Sequence, residues 1–162
     1  MSKAWPWFAV SAAIVVADQL TKWLVLAHFA PGERREITGF FNLVLWFNKG
    51  AAFSFLAGAS GWQKPILLVF ALVASVIVSV LLVRSPPGRR IFPAGLALIL
   101  GGALGNVVDR LRFGHVVDFL DFHAGGWHFP AFNVADSAIT VGAVLLIIDG
   151  FVHHERRARA PS

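Results

Sequence analysis

The sequence predicts an all-α membrane protein, a bundle of four transmembrane helices with a small extracytoplasmic flap of β and helical character between helices 1 and 2. Three observations predict it. The 162 residues are 57% hydrophobic and only 14% charged, with a mean hydropathy of +0.69, whereas soluble domains carry roughly 25% charged residues. Four apolar runs approach the ~20 residues needed to cross the hydrocarbon of a bilayer. The long connection after the first run is neither apolar enough to span nor polar enough to be disordered. The length fits one integral-membrane domain covering residues 1–162.

Composition also excludes several functions. There is no cysteine, so disulfides, thiolate metal sites and a cysteine nucleophile are ruled out. The formal charge of +5 sits at the ends of apolar runs, where membrane topology explains it. No nucleic-acid-binding motif accompanies it, and no nucleic-acid partner is expected.

The first span, 5–27, is too long for the apolar core of a signal peptide and lacks an Ala-x-Ala-like cleavage site, so it is expected to remain as a helix. Pro6 suits its first turn. Asp18 and Lys22 lie four apart near its far end. They form either a helical ion pair with a snorkelling lysine or an intramembrane pair at the depth of a reaction site. The flap, 28–64, opens with the charged patch Glu33-Arg34-Arg35-Glu36. It continues through the aromatic, β-prone stretch Phe40–Asn48 and an apolar helix or turn at Gly50–Ala59. Such a segment either packs on the bundle or covers a substrate backbone as an edge strand.

Pro65 precedes the second span, 66–83, and a short basic turn, 84–90, leads to the third, 91–111. Gly101, Gly102 and Gly105 in that span let helices approach closely. The fourth span, 132–152, contains Asn133, Asp136, Ser137, Thr140 and Asp149, the last expected near Arg156 as a helix-end residue. The dense basic charge of the 84–90 turn and of both termini places these on the cytoplasmic side. The acids of the third and fourth spans then face outward.

Residues 101–136 hold Asp109, Asp118, Asp121 and Asp136 among Asn106, Arg110, Arg112 and Asn133. Ionisable groups at the edge of hydrocarbon are costly to keep and mark function. Asn106, Asp109 and Arg110 share a helical face, and Asn133 and Asp136 repeat the Asn-x-x-Asp spacing. Two carboxylates sharing a site do not both ionise easily, so one is held as a general acid while the other draws a proton from water. This is the chemistry of a membrane-embedded aspartic protease. Which two of the four aspartates pair is left open by spacing alone. Asp118 also reads as a loop carboxylate paired with Arg110 or Arg112, and Asp136 as an acid favoured by a helix N-terminus. Ser54 and Ser137 with a lysine base lack a nucleophile-elbow motif, and His115, His123 and His128 lack a zinc-site motif, so no metal is expected. A proton-coupled transporter using Asp18, Asp109 and Asp136 is the rival reading. It is disfavoured because the acids cluster at one surface and no inverted repeat is visible. A non-catalytic scaffold has no need of clustered acids.

Several blocks together carry a family resemblance. They are Asp18-Gln-x-x-Lys22, Asn48-Lys-Gly50-Ala-Ala-Phe-Ser54, Gly101-Gly-Ala-Leu-Gly-Asn106-Val-Val-Asp109-Arg110, Val116-Val-Asp118-Phe and Phe132-Asn133-Val-Ala135-Asp136-Ser. In order and spacing the chain resembles the bacterial lipoprotein (type II) signal peptidases from about residue 15 to 140. The resemblance implies four transmembrane helices in the bacterial inner membrane, both termini cytoplasmic and the active site near the outer face. It implies hydrolysis of diacylglyceryl-modified prolipoproteins just before the lipidated cysteine, by a monomer without cofactor. Carried over by position, Asp118 and Asp136 are the catalytic pair. Gly102, Asn106, Asp109, Arg110, Asn133 and Ala135 shape the site, and Asp18, Lys22, Asn48 and Gly50 lie near the substrate. Lys49 stands where a small polar residue is expected.

Overall fold

The computed structural model describes residues 4–50 and 63–158; the expected helix or turn at Gly50–Ala59 falls almost wholly outside them. Among the described residues four helices are long and apolar enough to cross a membrane: α1 (Trp5–His28), α2 (Gln63–Val83), α3 (Ile91–Phe113) and α4 (Val134–Ala158). Between them lie four strands, β1 (Arg34–Thr38), β2 (Phe41–Asn48), β3 (Val116–Ala124) and β4 (Trp127–His128). Of the α3 span, 56% is buried inside the protein, against 11–22% for the other three, so α3 is the central helix. The others turn Val69, Phe70, Val76, Ile147 and Phe151 outward, where lipid is the solvent.

Glycines make the central position possible. A Cβ on Gly102 would meet the Ala135 backbone oxygen of α4 and lie 2.8 Å from Ile139 Cγ1, and one on Gly101 would lie 2.8 Å from the Ser11 carbonyl oxygen of α1. The Ala135 and Ser11 oxygens are backbone atoms, which cannot rotate aside. Gly102→Ala is therefore expected to push α3 and α4 apart and cost about 1–3 kcal/mol, measurable as a lowered thermal unfolding midpoint in detergent.

The sheet is larger than a flap between helices 1 and 2. Its strand order is β1-β2-β3-β4, all neighbours antiparallel, so half of its strands come from the α3–α4 connection. Asp118 accordingly lies on a strand rather than in a loop. The helix ends cleanly because Gly114 adopts a left-handed conformation (φ 71°) and donates its N–H to the Arg110 carbonyl oxygen at 3.0 Å, a C-terminal role in which glycine avoids Cβ strain. The chain then reverses into β3. Val25 of α1, Leu45 of β2, and Val117 and Phe119 of β3 form one buried cluster beneath the sheet, while Leu82, Leu96 and Leu100 form another in the bundle. At the opposite end, Asp149 is buried and pairs with Arg89 of the α2–α3 turn, tying that turn to α4.

Candidate active site

The C-terminal ends of α1 and α3 and the N-terminal end of α4 bring their polar residues to one end of the bundle. There Lys22 is only 2% exposed and lies between two carboxylates, 2.9 Å from Asp18 Oδ2 and 2.8 Å from Asp109 Oδ2. It also donates to Asn106 Oδ1 at 3.0 Å. The two acids are 0% and 1% exposed, so the snorkelling alternative is overturned: the ammonium points inward. Gly105 leaves room for this, since a Cβ there would lie 2.7 Å from Asp18 Oδ2. The carboxylates also accept backbone N–H groups, Asp18 from Ala135 (2.9 Å) and Asp109 from Val117 (3.0 Å). One buried triad thereby locks α1, α3, α4 and β3 together. Gln19, which spacing alone assigned no role, completes it by donating to Asp109 Oδ1 at 2.8 Å. Its position one residue after Asp18 and three before Lys22 was the available signal.

Asn106 relays this anchor to the next layer. Its Oδ1 receives Lys22 and its Nδ2 donates to Asp136 Oδ1 at 2.8 Å. Asn133 stands immediately before α4, and its Oδ1 accepts the N–H of Asp136 at 2.9 Å. The Asn133–Asp136 spacing is thus an N-cap rather than a shared helical face. The cap residue's Nδ2 is left free to donate to Asp118 Oδ1 at 2.7 Å and to the Val117 carbonyl oxygen at 3.1 Å. The second Asp118 oxygen accepts Asn48 Nδ2 at 3.0 Å. A register shift between Leu43 and Trp46 precedes this contact, leaving Trp46 opposite Asp118 and Asn48 opposite Val116, so that Asn48 reaches Asp118 as a diagonal neighbour. Gly50, at φ 96°, donates its N–H to Asn48 Oδ1 at 2.9 Å and so orients the amide.

Burial, and after it the charge of Asp136, push the Asp118 carboxyl up to about 7, against the opposing hydrogen bonds of Asn48 and Asn133 and the attraction of Lys22. Asp118 and Asp136 line one cavity of about 770 Å³, with Asn48, Arg110, Phe129 and Phe132 among its walls. The other two candidate acids are committed elsewhere. Asp109 holds Lys22. Asp121 lies on the sheet, accepting from Asn42 Nδ2 at 2.8 Å and contacting His128 Nδ1 at 2.9 Å. Burial opposes its ionisation, but Asn42, His128 and the Arg34 charge outweigh that and hold it below its ordinary value. Arg110 does not pair with Asp118 as a salt bridge; it donates to the Asn106 carbonyl oxygen at 3.2 Å and faces Asp136, Asp109 and Asp118 electrostatically. Ser137 donates to the Asn133 carbonyl oxygen at 2.9 Å, with no lysine placed against it among the described residues; Ser54 lies outside those residues.

A four-helix membrane bundle with two carboxylates opening on one cavity at its end has the arrangement of an intramembrane aspartic peptidase. A family model described as signal peptidase (SPase) II matches residues 10–152. The chain belongs to that family. It is 58% identical over 144 residues to a lipoprotein signal peptidase of Burkholderia vietnamiensis, covering 89% of this chain and 86% of the relative. A Burkholderia multivorans lipoprotein signal peptidase is 57% identical over the same shares. Two solved bacterial membrane enzymes, both obtained by the in meso method, share the fold. One, at 2.3 Å, has a TM-score of 0.84 with 26% identity over 97% of this chain and 94% of its own. The other, at 1.9 Å, has a TM-score of 0.78 with 29% identity over 89% and 91%.

Proposed function

We propose that Asp118 and Asp136 are the catalytic pair with which this aspartic endopeptidase processes lipoprotein precursors. The observation that carries the assignment is that, of the four aspartates in residues 101–136, these two line the same cavity while Asp109 and Asp121 are bound to other partners. Asp118 retains its proton up to about pH 7 and is the acid. Asp136 accepts a proton from water, whose oxygen attacks the scissile carbonyl carbon as Asp118 protonates the carbonyl oxygen. Collapse of the tetrahedral intermediate breaks the C–N bond as Asp136 gives its proton to the leaving nitrogen and one hydroxyl of the intermediate returns a proton to Asp118, restoring both carboxyls. Asn133 and Asn106 hold the two carboxyls apart in fixed orientations, and Asn48 holds the second Asp118 oxygen. Arg110 supplies positive charge beside both.

The substrate is a diacylglyceryl-modified prolipoprotein, cut just before the lipidated cysteine. The cavity's open walls include Thr140 and Val141 of α4 and the aromatic rings of Trp46 and Phe129, which suit acyl chains and an apolar signal segment arriving from the bilayer. Both termini lie in the cytoplasm of an inner-membrane protein, since the basic α2–α3 turn sits at their end of the bundle. The carboxylates then work near the outer face. The enzyme acts as a monomer, because each residue of the proposed site comes from one chain.

The test is cleavage of purified diacylglyceryl-prolipoprotein by the chain in lipid, with product masses fixing the cut before the lipidated cysteine. Failure to cut in a competent bilayer overturns the reading. The pH dependence has a definite sign. A carboxyl raised to about 7 and required as an acid is protonated below that value, so kcat/KM is expected to fall as pH rises through about 7, approaching tenfold per unit. A profile flat from pH 6 to 9 removes Asp118 from the acid role.

A further inference from the structure

A second cavity, of about 240 Å³, adjoins the proposed catalytic one. Asn48 and Arg110 line both and so form the partition between them. Neither aspartate of the pair reaches the smaller space, whose other walls include Lys49, Leu67, Gly114 and His115. Among the described residues no Asp or Glu lines it. Arg110 has carboxylates to face on the catalytic side. Lys49 is exposed and makes no hydrogen bond or ion pair among the described residues. An uncompensated ammonium at the mouth of a small cavity attracts an anionic group.

The position of the cavity indicates which part of a substrate reaches it. Gly114 and His115 lie beyond the end of α3, and Lys49 follows the end of β2, so the space is at the tip of the bundle. The larger cavity is walled partly by α4 within the span. On the reading above, from which this inference follows, the signal segment occupies the larger cavity from the membrane side, and the chain beyond the cut leaves over the partition. An extended peptide advances about 3.3–3.6 Å per residue, which brings the first few residues after the lipidated cysteine to the smaller cavity. We infer that this cavity is a subsite for a side chain on the mature side of the scissile bond, and that Lys49 makes it select an acidic one. Lys49 touches neither reacting carboxyl and acts on specificity alone.

Three diacylglyceryl-modified peptides, alike except for Asp, Asn or Lys at the second and third positions after the cut, test this. The native chain is expected to show kcat/KM in the order Asp, Asn, Lys, with each step about two- to five-fold, the range of an exposed ion pair. The order should narrow in high salt, because exposed charges are screened. Lys49→Glu should reverse it and Lys49→Ala flatten it, while all three proteins cut the Asn peptide at similar rates. Equal cleavage of the three peptides by the native chain, or an order that survives Lys49→Glu, overturns the subsite and leaves the peptidase reading intact. Failure to cut any peptide overturns the reading itself and the subsite with it.

Discussion

Asp118→Asn and Asp136→Asn are each expected to lower kcat by about a hundred- to ten-thousand-fold, the usual share of a positioned acid or base, while substrate still binds. An amide has nearly the shape of a carboxyl but neither gives nor takes the proton in the hydrolytic step. Folding should survive both changes. In Asp118→Asn the new carbonyl oxygen still accepts Asn133, the closer of its two donors at 2.7 Å. In Asp136→Asn it still accepts Asn106, and the backbone N–H remains capped by Asn133. Activity should therefore be compared at equal folded amounts, judged by size-exclusion profile and thermal unfolding. Asp121→Asn is the control, because its partners Asn42 and His128 belong to the sheet and its activity should stay within a few-fold of native. Near-native cleavage by either dyad variant would mean the pair is misassigned.

The largest structural effect is expected from Lys22→Met. The substitution keeps much of the side-chain bulk but leaves Asp18 and Asp109, 0% and 1% exposed, without their shared cation. Removing one partner from a buried ion pair typically costs about 3–5 kcal/mol, because the remaining charge stays desolvated. Here two carboxylates remain. Gln19 and the Ala135 and Val117 N–H groups compensate only in part. The unfolding midpoint in detergent should fall sharply, and cleavage should fall with the folded fraction. Adding Asp109→Asn to Lys22→Met should restore part of the stability by removing one of the stranded charges. If the double variant is no more stable than Lys22→Met alone, repulsion within the triad is not the cause and loss of the Lys22–Asn106 hydrogen bond becomes the better account.

The four spans were legible because hydrocarbon imposes a length and a composition that any stretch of chain displays by itself. The strand at Phe41–Asn48 was legible for a similar reason, as a run of aromatic and aliphatic residues. So were the Asp18–Lys22 and Asn106–Arg110 pairs, since helix geometry alone brings residues four apart onto one face. The family blocks added the names of Asp118 and Asp136. Their partners are another matter. That Asp109 belongs to Lys22 depends on how α1 crosses α3 over Gly105, and that Asp121 belongs to Asn42 and His128 depends on strand register. Asp149 meeting Arg89 depends on the α2–α3 turn folding against α4, and β3 joins β2 because Gly114 turns the chain back. Apart from the seven-residue Asp121–His128 contact, each of these joins segments far apart in sequence, where a neighbouring carboxylate has the same local signature as the one selected. Local periodicity determined which residues could take part; helix crossing and strand register, which no short window of sequence contains, decided which of them meet.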